Sequence, residues 1–377
     1  MNFNDTVLKD EERIAFTLRE LYMRYGFLQY KMSKFEEYDL YAKNRDFLVS
    51  DNIITFTDTN GRLMALKPDV TLSIVRNTKD IDGYVNKVFY NENVYRVSKG
   101  SHAFKEIMQT GLECIGDIDD YNIFETVLLA IKSLAAISSD FILNISHLDL
   151  ISSVLEEAGL DEAGKRQALR LIANKNMHEL KDLLEKYKDR SKRSVESVTR
   201  IFMLNGRPGE VISALEEEGC AGKALEELKG LTGMLNAAGE GSRVIIDFSV
   251  VNNMNYYNGI VFKGYINRVP EAVLSGGRYD WLLEKMDKRS RAVGFAVYLD
   301  FLERFFENDL KYDVDAVIRY GDTTDRRMLF NAVQILMNKG MTVTAEKSIP
   351  EKLRFKAAFE MDDLGALREI RTDIKKA

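Results

Sequence analysis

Two neighbouring stretches of the sequence decide the fold: VFYNENVYR at residues 88–96 and KEIMQTGLECIG at residues 105–116. Their composition is typical of strands. The pattern predicts strands over Val85–Arg96 and Lys105–Gly116, and the polar loop VSKGSHA joins them. We expect these two strands to lie side by side as a pair.

Shorter signals precede this pair. Apolar residues at helical spacing predict a helix over Asp10–Tyr25. Strand-like runs follow at Ile53–Thr57 and Arg62–Leu66. The dipeptide Asn60-Gly61 between these runs predicts a hairpin turn, because both residues tolerate positive φ.

Further elements are predicted after the strand pair. A helix fits Asn122–Ile137, and strands fit Phe141–Ser146 and Tyr256–Tyr265. The stretch SGGRYD, residues 275–280, is expected to form a glycine-rich turn. Residues Gly294–Phe306 are expected to form a helix.

Composition changes along the chain predict two domains. Residues 1–310 are expected to form the larger one, interrupted at about 148–238 by a helical insertion rich in Leu, Glu, Lys and Ala. Residues 311–377 are expected to form a small α/β domain, since AVIRY and MTVTA read as strands on either side of a helix at Thr324–Met337.

Overall composition excludes several classes of protein. The formal net charge of the 377 residues is −6, which argues against bulk nucleic-acid binding. Two cysteines cannot make a disulfide framework, and the three histidines lie far apart in the sequence, so we expect no metal site. No apolar stretch is long enough to span a membrane. We expect a soluble cytoplasmic protein without a cofactor.

The common nucleotide-binding and hydrolase motifs are also absent from the sequence. Gly222-Lys223 is the nearest approach to a phosphate-binding loop, but Glu217 stands where the loop needs Gly, and Ala224 replaces the Ser or Thr that holds magnesium. Neither G-x-G-x-x-G after a strand nor G-x-S-x-G occurs. The sequence offers no serine nucleophile with a plausible catalytic partner.

Four segments occur together in a specific order. They are LKPDVT (66–71), the paired stretches within 88–116, NYYNGIVF (255–262), and SGGRYD with AVGFA (275–280 and 292–296). Their order and spacing resemble the catalytic domain of class II histidyl-tRNA synthetases and, more closely, the paralogous regulatory subunits of ATP phosphoribosyltransferase. The resemblance covers about residues 6–308. It implies an α+β fold with a class II aminoacyl-tRNA synthetase-like antiparallel sheet flanked by helices.

The resemblance also implies a histidine-binding pocket. Carried over by position, its residues are Asp69, Thr71, Gln109 and Glu113 around the amino group and imidazole, with Tyr256, Tyr257 and Tyr279 as pocket aromatics. A cationic amine and a ring N–H need acceptors, which carboxylates and an amide oxygen supply. Gln109 and Glu113 are four apart, so they share one face of a strand. By the same alternation, neighbouring Tyr256 and Tyr257 are expected to point in opposite directions.

Each of these residues has a purely structural alternative. Asp69 suits a cap or turn acceptor after Pro68, Glu113 a solvated strand position, and the tyrosine pair the sheet core. The ordered motifs favour a pocket for the set as a whole. His102 is expected to be an exposed loop residue.

Three arginines of the synthetase family are absent by this correspondence. Their places are taken by Tyr90, Asn252 and Phe301. Activation of an amino acid builds charge on the ATP α-phosphate, and each lost guanidinium contact costs about 10²-fold or more in rate. We therefore expect no catalysis. Asn252 also removes the family's carboxylate anchor, which leaves open a vestigial pocket on a scaffold protein.

The resemblance implies a regulatory subunit of ATP phosphoribosyltransferase, needed for the first step of histidine biosynthesis and for its feedback inhibition by histidine. Its expected partners are a catalytic subunit and histidine, with this chain as a homodimer within a hetero-oligomer, and no membrane or tRNA. Such allosteric regulation needs only a differential affinity of histidine for two states. The alternatives are an active histidyl-tRNA synthetase and a stand-alone histidine-sensing module.

Overall fold

The computed structural model describes residues 8–48, 53–97, 103–251, 256–302, 312–362 and 364–371. The chain divides into two compact units, Met1–Phe305 and Phe306–Ala377. Each unit has its own sheet and its own hydrophobic core.

The first unit is built on a mainly antiparallel sheet with nine strands among the described residues. In spatial order they are β1 (Leu28–Gln29), β5 (Val85–Val97), β6 (Phe104–Gly116), β12 (Arg291–Tyr298), β11 (Leu274–Arg278), β10 (Ile260–Ile266), β7 (Phe141–His147), β9 (Val244–Asp247) and β8 (Asn205–Gly206). The predicted pairing of the two long strands is confirmed, since β5 runs antiparallel to β6 with Val85 opposite Gly116. The antiparallel sheet implied by the resemblance is likewise confirmed.

A smaller three-stranded sheet carries the predicted hairpin. Its strands are β2 (Phe35–Glu37), β4 (Leu63–Leu66) and β3 (Thr55–Thr57). Strands β3 and β4 pair antiparallel as predicted, but the turn is longer than two residues. Asp58 Oδ1 accepts hydrogen bonds from the N–H groups of Asn60 and Arg62, both at 2.8 Å. Gly61 has a φ of 79°, whereas Asn60 is not in the positive-φ region.

Two helices cover one face of the main sheet, namely α1 (Asp10–Arg24) and α4 (Asp120–Ile137). The Tyr22 ring of α1 packs against Phe89 of β5 and Phe295 of β12, with centroids 6.1 Å apart in both cases. The Tyr22 hydroxyl lies 2.9 Å from Ser133 Oγ on α4. This contact ties both helices to the sheet. Two short helices, α2 (Tyr38–Ala42) and α3 (Thr71–Asn77), contribute to the core that includes Tyr90.

The segment between β7 and β9 is mainly helical. It contains α5 (Leu148–Glu157), α6 (Glu162–Ala173), α7 (Met177–Glu185), α8 (Val195–Met203), α9 (Pro208–Glu217) and α10 (Lys223–Ala237). Regularly spaced apolar residues, mostly leucines, bury one side of these helices, as the periodic pattern predicts. None of the helices among the described residues is long and apolar enough to cross a membrane.

Two local predictions in the fourth segment, SGGRYD with AVGFA, are wrong. SGGRYD is not a turn, because Leu274–Arg278 is strand β11, followed by helix α11 (Asp280–Lys285). Gly294 does not begin a helix, because Arg291–Tyr298 is strand β12, followed by a single 3₁₀ turn at Leu299–Leu302. In AVGFAVY the small residues alternate with large ones, a period of two that is typical of a strand.

The second unit is a small α/β domain. Its elements are β13 (Val314–Arg319), α12 (Arg326–Asn338), β14 (Val343–Glu346), β15 (Phe355–Met361) and β16 (Leu367–Arg371). Strands β13 and β14 pair in parallel with α12 between them, so the predicted strand–helix–strand unit is confirmed. The spatial order is β14-β13-β15-β16.

Candidate ligand-binding site

A cavity of about 460 Å³ lies on the face of the main sheet that carries Tyr90 and Glu113. Since neighbouring strand residues alternate, this face is opposite the one on which Phe89 packs against α1. All seven residues of the predicted pocket line this cavity: Asp69, Thr71, Gln109, Glu113, Tyr256, Tyr257 and Tyr279. The structure therefore brings together segments that are up to 210 residues apart in the sequence (279 − 69).

Glu113 is the most constrained acceptor in the cavity wall. Its side chain is 2% exposed. Oε1 accepts a hydrogen bond from Thr71 Oγ1 at 2.8 Å, and Oε2 accepts one from the Tyr279 hydroxyl at 2.6 Å. Burial raises the pKa of Glu113 to about 8, Tyr279 and Thr71 lower it, and the neighbouring Asp69 raises it. The alternative of a solvated strand residue is thus wrong for Glu113.

Asp69 is a turn acceptor and is also part of the cavity wall. Its Oδ1 accepts a hydrogen bond from Leu72 N at 2.9 Å at the start of α3, so it is a turn acceptor. It also lines the cavity. Burial raises the pKa of Asp69, while the Leu72 N–H and the charge of Arg96 lower it. The cavity thus holds two carboxyl groups whose charged forms are disfavoured.

The three tyrosines form a continuous aromatic wall. The Tyr256 ring centroid lies 4.5 Å from that of Tyr257 and 5.5 Å from that of Tyr279. The expectation that Tyr256 and Tyr257 point in opposite directions is wrong, because both line the cavity. Strand β10 begins only at Ile260, so strand alternation does not apply to this pair. Burial raises the pKa of each of these hydroxyls well above its ordinary value, which keeps them neutral.

Glycines on the sheet make room for these side chains. A Cβ on Gly294 would lie 1.7 Å from Glu113 Oε2 and 2.5 Å from the Leu112 carbonyl oxygen. A Cβ on Gly111 would lie 2.6 Å from the Tyr90 hydroxyl. Sequence reasoning missed the role of Gly294 because it assigned this residue to a helix. The period-two alternation of AVGFAVY was the signal that could have found Gly294.

Two cationic side chains that were not predicted for this cavity also line it. Arg96 lies on β5, and its Nε donates a hydrogen bond to the Pro68 carbonyl at 3.3 Å. Lys263 lies on β10, and burial lowers its pKa. Arg96 thus places a guanidinium in the cavity wall at a position other than the three that the resemblance assigns to family arginines.

The three positions that the resemblance assigns to family arginines have different surroundings. Tyr90 is 2% exposed and lines the cavity. Phe301 is 38% exposed, and its ring centroid lies 5.6 Å from that of Tyr298 at the cavity wall. Asn252 lies outside the described residues, as does His102. In the described part of the chain, no group of three or more His, Cys, Asp or Glu is arranged to hold a metal ion.

A buried polar cluster behind the aromatic wall fixes its geometry. Asp280 accepts hydrogen bonds from Arg278 Nε at 2.6 Å, Asn258 Nδ2 at 3.2 Å and Ala292 N at 2.9 Å. The Asn258 side chain in turn accepts one from Asp280 N at 2.7 Å. Tyr279 lies between Arg278 and Asp280 in the chain. The cluster therefore joins the three segments that begin β10, end β11 and begin β12.

We expect Asp280→Asn to lower the free energy of unfolding by about 2 kcal/mol, because Arg278 would lose the charge that compensates it in a half-buried site. Urea denaturation followed by circular dichroism measures this change. Glu20→Gln is the matched control, since the Arg24–Glu20 pair is exposed and its loss should cost at most about 0.5 kcal/mol. Equal effects of the two substitutions would contradict a structural role for the Asp280 cluster.

Comparison with known proteins places this site in a family. The histidyl-tRNA synthetase family model matches residues 4–302. An ATP phosphoribosyltransferase regulatory subunit from Clostridium kluyveri is 30% identical over 348 residues, which cover 88% of this chain and 88% of that protein.

Solved structures agree with this family at the level of the fold. The structure of an ATP phosphoribosyltransferase regulatory subunit/histidyl-tRNA synthetase from Bacillus halodurans C has a TM-score of 0.75 at 23% identity and covers 93% of each chain. A chain of the ATP phosphoribosyl transferase (HisG:HisZ) complex from Thermotoga maritima has a TM-score of 0.61 at 20% identity, covering 77% of this chain and 97% of that one. This chain belongs to the histidyl-tRNA synthetase family, and within it to the ATP phosphoribosyltransferase regulatory subunits.

Proposed function

We propose that this chain is the non-catalytic regulatory subunit of a cytoplasmic ATP phosphoribosyltransferase, and that its cavity binds histidine as the feedback effector. The observation that carries the proposal is the pair of carboxyl groups, Glu113 and Asp69, in one cavity wall. Burial disfavours the charge of both. A ligand that brings a positive charge compensates them, which an amino acid with an amine and an imidazole does.

The remaining lining suits the two ends of such a ligand. Gln109 is 4% exposed and offers an amide to a ring nitrogen. The wall of Tyr256, Tyr257 and Tyr279 offers aromatic faces to an imidazole or a cation. Gln109, Glu113, Thr71 and Asp69 thus form the polar side of the pocket, and the tyrosines form the aromatic side.

The same cavity is poorly equipped for ATP chemistry. Amino acid activation develops charge on a phosphate that fixed cations must meet. Tyr90 and Phe301 stand where the synthetase resemblance expects two of these cations. Arg96 already contacts the Pro68 carbonyl and lies close enough to Asp69 to lower its pKa. We therefore propose that the chain binds histidine without activating it.

Arg96 also supports one competing function, that of an active histidyl-tRNA synthetase. A single guanidinium in the cavity wall is the observation that favours it. ATP–pyrophosphate exchange with histidine separates this function from ours, because only an active synthetase catalyses the exchange.

Reconstitution tests the proposed function. We expect a short-form catalytic subunit, homodimers of this chain and histidine to behave as one regulated assembly. Phosphoribosyltransferase activity should be present only in the mixture, and histidine should inhibit it. Calorimetric titration of this chain with histidine measures the binding directly. A catalytic subunit that forms no complex with this chain on size-exclusion chromatography would contradict the proposal and favour a stand-alone sensor.

A further inference from the structure

We propose that Lys263 binds the carboxylate of the amino acid that occupies the cavity. This inference rests on the proposed function, and it assigns a role to a side chain that the sequence motifs did not mark. It follows from three features of Lys263: its place on the sheet, the absence of a partner within the described residues, and its position relative to Glu113.

Lys263 lies within a row of paired residues that crosses the sheet. Asn144 of β7 is opposite it on one side, and on the other side the row continues across the cavity. Along this row the paired residues are Lys263, Ser275, Ala296, Gly111 and Tyr90. Directly opposed residues on neighbouring strands share one face of the sheet. Between Lys263 and Tyr90 the row contains only small side chains, which make the floor of the cavity.

The Lys263 ammonium has no ion pair and no hydrogen bond to any residue in the described ranges of the chain. It is half-buried, and burial alone accounts for the lowering of its pKa. Arg96, the other cation of the cavity wall, differs because it already contacts the Pro68 carbonyl and influences Asp69. Of these two cations, Lys263 is therefore the one that gains most from an anionic group of a ligand.

The distance between Lys263 and Glu113 fits a free amino acid. Glu113 lies on the adjacent row, opposite Gly294, three strands away from Lys263. Three strand spacings put the two backbones about 14 Å apart. Both residues line the cavity, and the flexible four-carbon stem of lysine can adjust its reach. A zwitterionic amino acid would bridge Glu113 and Lys263, with its cationic groups at Glu113 and its carboxylate at Lys263.

Calorimetric titration with histidine and with histamine, which lacks the carboxylate, tests this assignment on the full-length chain. We expect the wild type to prefer histidine. Lys263→Met should weaken histidine binding about 10-fold or more and should leave histamine binding unchanged within about twofold, since histamine makes no contact that needs the ammonium. Lys263→Arg should retain the preference. Lys132→Met is the matched control, because Lys132 is a half-buried lysine of α4 that does not line the cavity.

Several outcomes would overturn the assignment. If Lys263→Met weakens both ligands equally, Lys263 only shapes the cavity. If Arg96→Met abolishes the preference for histidine and Lys263→Met does not, Arg96 holds the carboxylate. Retained histamine binding shows that the Lys263→Met variant is folded. If Lys263→Met does not fold, Lys263→Gln provides a second test. A wild type that binds neither ligand would instead overturn the histidine-binding function itself, and this inference with it.

Discussion

Glu113→Gln is expected to abolish histidine binding and, at the same time, to stabilise the ligand-free protein at neutral and alkaline pH. The amide cannot supply the negative charge that compensates the amine, so we expect affinity to fall by about 100-fold or more. It also removes a buried carboxyl whose pKa rises from 4.5 to about 8 on folding. A stabilising substitution that removes binding marks a site kept for its ligand.

The pH dependence of this effect has a definite sign. Between about pH 4.5 and 8 the folded protein keeps the Glu113 proton that the unfolded chain has lost. The wild type therefore loses stability as pH rises through this window, by at most about 1.4 kcal/mol per pH unit from this group. The difference in free energy of unfolding between Glu113→Gln and the wild type should grow from pH 5 to 8 and stay constant above that range.

Glu125→Gln is the matched control for Glu113→Gln. Glu125 is also buried, but Lys87 Nζ lies 2.5 Å from its Oε2 and compensates it within the chain. Loss of that charge should therefore destabilise the protein and leave histidine binding intact. Urea denaturation at several pH values and calorimetric titration with histidine measure both properties. Destabilisation by Glu113→Gln at pH 8 would contradict our account of the cavity.

Gly294→Ala is expected to have the largest steric effect in the site. The added methyl would lie 1.7 Å from Glu113 Oε2 and 2.5 Å from the Leu112 carbonyl oxygen. Rotation of Glu113 relieves the first contact and breaks its hydrogen bonds, but the second contact is with the backbone. We expect the free energy of unfolding to fall by about 2 kcal/mol or more, with loss of histidine binding.

Gly233→Ala is the control for Gly294→Ala, because it should raise the free energy of unfolding instead of lowering it. Gly233 lies within α10, and a Cβ there meets nothing within 4 Å. Alanine should stabilise this helix by about 0.5–1 kcal/mol. Chemical denaturation of both variants checks the pair, and a Gly294→Ala variant as stable as the wild type would show that the sheet yields at this position.

The candidate acceptors came from the resemblance of four ordered motifs to a known family, and the residues it implied all line the cavity. Gln109 and Glu113 share a strand face by simple alternation, and the structure places both in the cavity wall. The shape of the cavity was less predictable. It depends on which small residue of one strand faces which large residue of the next, as for Gly294 and Glu113. Such pairings arise only when strands distant in the sequence come together.

The two cations of the site were missed for a related physical reason. A lysine or arginine in a strand is ordinarily a solvated residue, so Lys263 and Arg96 gave no signal in the sequence. Their burial depends on neighbouring strands and on the loop that carries Tyr256 and Tyr257. The prediction that these two tyrosines point apart failed because it assumed that the strand begins before Ile260.

The central claim is that this cavity binds histidine and does not activate it. The most direct test measures histidine binding and ATP–pyrophosphate exchange on one preparation of the chain, with an active histidyl-tRNA synthetase as the reference. We predict saturable histidine binding in calorimetric titration, with no exchange above background. Histidine-dependent exchange that is lost in Arg96→Met would contradict it, because Arg96 would then provide the cation that the synthetase reaction needs.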